Sequence, residues 1–314
     1  MADELPKPRW GAEQRLEFID FICFWEGEIN RSDITQRFGI SAPQASTDLT
    51  AYQQAAPGNL RYDLSAKRYL ATAEFKPRFI KPNADRYLAQ LTALATDVIS
   101  LEDTWLSRPP EMSVIPIPRR KVDPLILRAV LRAIRSRRSI EIEYQSLNTA
   151  TPEPVWRWIT PHAFASDGFR WHIRAFCHRD NAFKDFLLSR CCGTRAEGEP
   201  SATPEADEEW SKHFDVELKS NPKLSPNQRK AVELDYDMRD GVVTLPVRLA
   251  LLYYFDKRLR ADLARDPDTN SKADAREIPV VVANRDEYEK CLKSMNKNSR
   301  NRTASEISVS RLHT

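Results

Sequence analysis

The chain has 314 residues and a formal net charge of +3, with an ordinary apolar fraction, eight glycines and twenty-one prolines. That length suggests two or three domains, and with so little glycine and neither G-x-x-x-x-G-K-[ST] nor G-x-G-x-x-G a phosphate-cradling glycine loop is not expected. The five cysteines (Cys23, Cys177, Cys191, Cys192, Cys291) are odd in number and contain no C-x-x-C, a poor disulfide or zinc framework that points to a reducing compartment.

The opening residues, MADELPKPRW, show no basic stretch followed by an apolar one, and no run reaches membrane-span length, so a soluble cytoplasmic protein is expected. Leu16, Ile19, Ile22 and Cys23 recur at helical spacing, widened by Phe18, Phe21 and Trp25, and Gly27 ends that helix. Asn30 or Ser32 caps a second helix to Phe38, with Gly39 at its C-terminus. Ser41 caps a third, from about Ala42 to Ala55, with Pro43 in its first turn. Leu60, Tyr62 and Leu64 then alternate, Ser65 to Lys67 turn, and Tyr69 lies on the return, which predicts a β-hairpin. Residues 84–101 form an amphipathic helix, and the stretch RPPEMSVIPIPRRKVDP reads as a Pro-rich linker.

Asp123 caps a further helix carrying Leu127, Val130, Leu131 and Ile134. From Ser139 the period falls to two, and IEIEY, VWRWI, FRWHIRAF and FKDFLLSR are candidate strands. GEPSATPEADEE is an acidic loop without a basic residue. AVELDY, VVTLPV and IPVVVA alternate again, an apolar helix spans about Arg248 to Leu263, a final helix lies near Arg285 to Lys293, and the polar tail from Asn296 is expected to be mobile. The organisation read from these signals is 1–82, three helices and a hairpin; 83–122, a helical and Pro-rich linker; 123–222, a helix followed by strands; and 223–314, a C-terminal extension.

Three helices and a hairpin, with Gly39-Ile40-Ser41 joining the second and third, is the order of a winged helix-turn-helix. On the third helix Ala45, Leu49 and Tyr52 share the inward face. Ser41, Gln44, Ser46, Thr47 and Thr50 are then available to read bases or hold phosphates, and Arg61, Lys67 and Arg68 of the hairpin to neutralise phosphates. The same order occurs in plain helical bundles and protein-binding winged helices, and residues 1–83 carry eleven Lys/Arg against eleven Asp/Glu.

ISAPQASTDLTAYQ resembles the recognition helix of the winged-helix regulators that precede WYL domains. IEIEYQS, WRWITPHAF, GFRWHIRAF and FKDFLLSR resemble the WYL domain itself, although the tripeptide here is Trp171-His172-Ile173. The subgroup that matches in domain order is the repressors of bacterial anti-phage (BREX and CBASS) loci. The resemblance implies an α+β multidomain protein: a winged helix-turn-helix, a helical linker, an Sm-like small β-barrel and a C-terminal α/β extension. It also implies a ligand pocket at the Trp171 strand, lined in addition by Tyr144, Ser146, His162 and Arg190.

By strand alternation Arg170, His172 and Arg174 fall on one face, within residues 119–195 that hold fifteen Lys/Arg and seven Asp/Glu. Two guanidiniums beside an imidazole suit an anion such as a nucleotide or nucleic-acid fragment; the competing possibility is a solvated face paired with Glu141 and Glu143. His162, His172, Cys177, His178, Cys191 and Cys192 match no zinc spacing. The resulting expectation is a homodimeric, ligand-controlled repressor on a palindromic double-stranded DNA site, without cofactor, metal or membrane partner. The stretch Leu249 to Phe255 is either dimer contact or core. The alternatives are a nucleic-acid or nucleotide processing enzyme using the Arg170, His172, Arg174 row, or a sensor that binds nucleic acid mainly through the WYL domain.

Overall fold

The computed structural model describes residues 10–118, 120–147, 153–259 and 275–295. The chain divides into two compact units between Ile117 and Pro118.

In the N-terminal unit, helix α1 (Trp10–Glu26) buries Ile19 and Ile22 completely. Strand β1 (Glu28–Ile29) follows, then helix α2 (Arg31–Phe38). Asn30 caps α2 in a reciprocal box with Asp33, and Gly39 closes it at φ 62°, the left-handed conformation that favours glycine. Ser41 caps helix α3 (Ala42–Ala55), which buries Ala45, Leu49 and Tyr52. Strands β2 (Leu60–Asp63) and β3 (Arg68–Ala71) form the hairpin, and β1 adds to β3 to give the order β1-β3-β2. Leu64, placed on the strand by its alternation, stands instead in the turn at 83% exposure.

Two buried carboxylates tie later chain to α1. Asp20 accepts the N–H groups of Arg78, Phe79 and Ile80 (2.8, 2.8 and 3.0 Å) and the Tyr52 hydroxyl. Glu26 accepts those of Ser107 and Arg108 (2.7 and 3.1 Å). Helix α4 (Ala84–Ala95) is shorter than its amphipathic pattern implied. Tyr87 stacks on Trp25 at 4.5 Å, and Leu91, Leu94, Trp105 and Leu106 join the same core. Residues 84–108 are thus packed against the winged helix.

The C-terminal unit opens with helix α5 (Pro124–Ser136), capped by Asp123. Five antiparallel strands follow: β4 (Ser139–Tyr144), β5 (Val155–Ser166), β6 (Trp171–Cys177), β7 (Ala182–Leu187) and β8 (Cys191–Gly198), in the order β7-β6-β5-β4-β8. The apolar stripe of α5 (Ile126, Val130, Ala133) packs with Ile140, Ile142, Ile159, Ile173 and Ala175. The register of β5 on β6 slips between Pro161 and Ala163, so His162 is an extra residue in a bulge. After helix α6 (Glu208–Ser211), strands β9 (His213–Ser220), β10 (Val242–Arg248) and β11 (Val280–Val282) form a second sheet, ordered β10-β9-β11. Helix α8 (Leu252–Arg258) and the helical residues 285–295 pack on it through Leu252, Tyr288 and Leu292.

AVELDY is not a strand; its first five residues end helix α7 (Pro226–Asp235). The Ser225 capping box with Gln228, and Pro226 at the first helical position, outweigh six residues of alternation. The Leu249–Phe255 stretch is a 3-10 turn followed by α8, and Leu252 lies in the core. Its expected continuation to Leu263, and the polar tail from Asn296, lie outside the described residues.

Candidate functional site

The third helix of the N-terminal unit presents the residues its pattern assigned outward. Gln44, Thr47 and Thr50 are exposed and Ser46 is half-exposed, while Ser41 serves as the cap, accepting the Gln44 N–H at 3.4 Å. The hydroxyls of Ser46, Thr47 and Thr50 donate to the carbonyls of Ala42, Pro43 and Ser46 one turn back (3.0, 3.1 and 2.9 Å). That spends their protons and leaves oxygen lone pairs outward as acceptors. The Gln44 amide donates to Asp48 Oδ1 at 3.0 Å, and Asp48 is held by the Arg15 fork at 2.6 and 3.1 Å. A bidentate grip on adenine therefore requires Gln44 to leave Asp48, whereas its carbonyl can accept a base N–H without that exchange. Arg31, which the sequence pattern did not single out, comes within 3.5 Å of Ser46 Oγ and adds an exposed cation beside the helix.

The hairpin cations differ in freedom. Arg61 is exposed, with Asp63 3.9 Å away. Lys67 sits at the turn with φ 52° and is exposed. Arg68 is bound to Glu28, which Arg108 also binds. The hydrogen bond from Arg108, then that from Arg68, holds the Glu28 carboxyl below its ordinary pKa against mild desolvation.

In the C-terminal unit, β6 carries His172 and Arg174 on the face opposite Ile173 and Ala175, and both are 3% exposed. Arg170 lies in the turn before the strand. The acids expected to pair with this row, Glu141 and Glu143, are elsewhere; Glu141 takes the Arg195 fork at 2.6 and 2.8 Å. The row's counter-charges come instead from Asp167, Asp185 and the acidic loop. Arg174 binds Asp207 at 2.7 and 2.9 Å, Glu209 at 3.0 Å and Asp185 at 3.3 Å. Asp207 also binds His162 at 2.9 Å and caps α6 by accepting the Trp210 N–H at 3.2 Å. The bulge in β5 gives His162 the extra position from which it reaches this carboxylate.

Burial would raise the Asp207 carboxyl, but the bonds from His162 and Arg174 outweigh it and hold the pKa at about 2. Asp167 is likewise held at about 2, desolvation being overcome by the Phe169 N–H, Arg170 and His172. Asp185 is pushed up by burial, partly opposed by Arg174 and His172. The α8 helix closes the row from the C-terminal domain: Tyr254 lies 4.7 Å from the His172 ring and donates to Asp185 at 3.2 Å, and Arg258 donates to the Asp167 carbonyl at 2.8 Å. Gly168 has φ +86°, the left-handed backbone that favours glycine, and the Arg258 guanidinium occupies the space a Cβ there would take.

Tyr144 is buried on the other face, its hydroxyl accepting the Leu187 N–H at 3.1 Å. Ser146 lies past the end of β4 and is half-buried. Arg190 is half-buried, close enough to Tyr144 to influence its ionisation. Among the described residues no group of three or more His, Cys, Asp or Glu side chains is placed to hold a metal ion, and no helix is long and apolar enough to cross a membrane.

Three family models match: the BrxR transcriptional regulator winged helix-turn-helix domain over residues 11–93, the WYL domain over 125–191, and the BrxR transcriptional regulator C-terminal dimerization domain over 213–288. The chain is 38% identical over 288 residues to the DNA-binding transcriptional repressor CapW of Stenotrophomonas maltophilia, covering 91% of this chain and 94% of that protein. It is 40% identical over 284 residues to CapW of Pseudomonas aeruginosa (89% and 91% covered) and 36% over 285 residues to CapW of Escherichia coli (91% and 93%).

Proposed function

Because the chain belongs to the BrxR and CapW family of winged-helix transcriptional repressors with a WYL domain and a C-terminal dimerization domain, we propose that it is a homodimeric repressor of a phage-defence locus, released or engaged by an anionic ligand at its WYL domain. The observation that carries DNA recognition is the division of α3 into a buried face, Ala45, Leu49 and Tyr52, and an exposed face, Gln44, Thr47 and Thr50. Two such helices related by a two-fold axis fit a palindromic double-stranded site. The relatives over nine-tenths of the chain are named repressors, and the enzymatic reading of the arginine row is set aside.

Capture and sequencing of DNA fragments on the purified full chain tests this reading; a palindrome upstream of the protein's own gene is the expected outcome. On that site Gln44→Ala and Thr47→Ala are each expected to cost about 1–3 kcal/mol while binding to random DNA stays unchanged. Equal losses on both would mean that these residues do not read bases. At the wing, Arg61→Ala and Lys67→Ala are each expected to lower the salt slope of binding by about one, and Arg68→Ala by less, because Glu28 already holds its guanidinium. An unchanged slope in the Arg61, Lys67 double variant would take the wing out of the interface.

The ligand reading rests on the basic WYL segment. Within it Arg170, His172, Arg174 and His162 already have carboxylate partners from this chain. An anion arriving at Arg174 competes with Asp207, and displacing Asp207 uncaps α6 immediately before β9 of the dimerization domain.

A further inference from the structure

One cation of the hairpin is tied to chain that lies outside it. Glu28 of β1 pairs with Leu70 of β3, and Arg68, two residues back on the same face, is its diagonal neighbour. Glu28 Oε1 accepts from the guanidiniums of both Arg68 and Arg108. Arg108 opens the Pro-rich stretch, 80 residues beyond Glu28. Glu26 Oε1 holds the N–H groups of Ser107 and Arg108, and Glu26 Oε2, buried without a hydrogen-bond partner, lies 3.7 Å from Arg108 Nε. Arg108 therefore faces two carboxylates, while Glu28 is shared by two guanidiniums. Asp33, a third acid whose charge reaches Arg108, is occupied in the α2 capping box.

This sharing matters because residues 1–83 carry eleven Lys/Arg against eleven Asp/Glu, so no surplus of positive charge stands behind the wing. With Arg108 in place, Glu26 and Glu28 are balanced by Arg68 and Arg108. Without it, two carboxylates face one guanidinium beside the hairpin. A carboxylate and a phosphate compete for the same guanidinium N–H groups. When Arg68 turns to a phosphate, Glu28 keeps Arg108 and is not left unpaired next to a polyanion. If Arg108 is absent, the same turn strands Glu28 beside the phosphate, where like charges repel. The Arg68 and Glu28 side chains are 29% and 25% exposed, so the pair is open enough to exchange partners and is only partly screened by solvent.

We propose that Arg108 is a positioning residue for the wing. By holding Glu28 it releases Arg68 to the DNA backbone, so the docking of residues 107 and 108 on α1 sets the strength of a phosphate contact made by the hairpin. This rests on the reading that the wing meets DNA. Arg108 acts through Glu28 and does not itself touch the duplex.

The test titrates the full chain with a short duplex of random sequence over a salt series, with thermal unfolding of each variant as the check on its fold. Arg108→Ala keeps both N–H groups on Glu26 and is expected to weaken binding about fivefold at low salt and to lower the salt slope by up to about one. Arg108→Lys, which keeps the charge, is expected to stay within about twofold of the wild type. Glu28→Gln is expected to tighten binding about fivefold, and Arg68→Ala then to lower the slope by more than it does in the wild type. Because Glu28→Gln removes no cation, it decides the matter even if Arg108→Ala loses its fold. In the Glu28→Gln background the effect of Arg108→Ala is expected to vanish. Loss of the same factor in both backgrounds would mean that Arg108 meets the DNA directly, and the proposal is overturned. An unchanged affinity in Glu28→Gln overturns it as well. If Arg68→Ala changes neither affinity nor slope in either background, the relay has no output and the reading of α3 as the recognition helix stands. If the wild type binds no duplex, the DNA reading and the proposal fail together.

Discussion

Arg174 and Arg157 occupy opposite faces of one five-stranded sheet, both more than nine-tenths buried, and their surroundings differ in kind. Arg174 is enclosed by Asp207, Asp185 and Glu209, and Asp207 is shared with His162. Arg157 has two aromatic rings and no carboxylate partner among the described residues. Burial and basic composition are common to both, so neither property tells how a buried cation is balanced; the distribution of counter-charges does. The surplus of basic residues in 119–195 overstates the free positive charge of this region, because two of the acids that hold Arg174 lie beyond it at 207 and 209.

The largest expected effect breaks the better-partnered side. Asp207→Ala is expected to destabilise the C-terminal unit by about 3–5 kcal/mol, since it leaves Arg174 and His162 underpaired in the interior. Arg157→Met is expected to lie within about 1 kcal/mol of the wild type or above it, because removing this charge leaves no buried carboxylate partner uncompensated. Urea unfolding monitored on the full chain compares them, and equal losses would erase the distinction between the two arginines.

Acid titration sharpens it. The Asp207 pKa lies below its unfolded value, so its contribution is complete above about pH 4 and is lost as pH falls toward about 2. A drop from 3.8 to about 2 corresponds to on the order of 2 kcal/mol. Between pH 5 and pH 2.5 the wild type is therefore expected to lose more stability than Asp207→Asn, and parallel curves would show that the carboxylate is not held by Arg174 in solution. The smallest effect sets the baseline for exposed pairs. Arg195 forks onto Glu141 and lies over the Trp156 ring at 4.1 Å, yet its side chain is 54% exposed. Arg195→Ala is expected to change stability least of these variants, and a loss rivalling that of Asp207→Ala would mean that burial does not grade these pairs.

The sequence made the winged helix legible because its signals are local. Asn30, Gly39 and Ser41 mark helix ends within a few residues of the ends they mark, and the spacing of Ala45, Leu49 and Tyr52 orients α3 without reference to the rest of the chain. The surroundings of β6 were not legible, because they depend on distant residues. Alternation correctly placed His172 and Arg174 on one face, but nothing near them indicates that Asp207, 33 residues beyond Arg174, returns to cover that face. The His162 bulge is invisible to a pattern of period two. Arg157 is legible in part: in VWRWI it shares its face with Ile159, so a charged residue stands on the apolar side of an alternating strand. AVELDY shows the opposite error, a short alternation trusted over a helix cap just before it.

The attachment of residues 101–108 to α1 bears on where the chain can be cut and rejoined. Glu26 holds the backbone of Ser107 and Arg108, and Trp105 covers Phe21 and Phe18 with ring centroids 5.6 and 6.2 Å apart. A recombination point at the end of the hairpin would separate the DNA reader from part of its own core and leave those rings open to water. A point within the proline-rich stretch after Arg108 transfers the reader intact, together with the α4 helix and the tryptophan that complete it. The packed unit therefore extends past the hairpin to residue 108, and a chimera joined after that residue is the one that leaves its packing undisturbed.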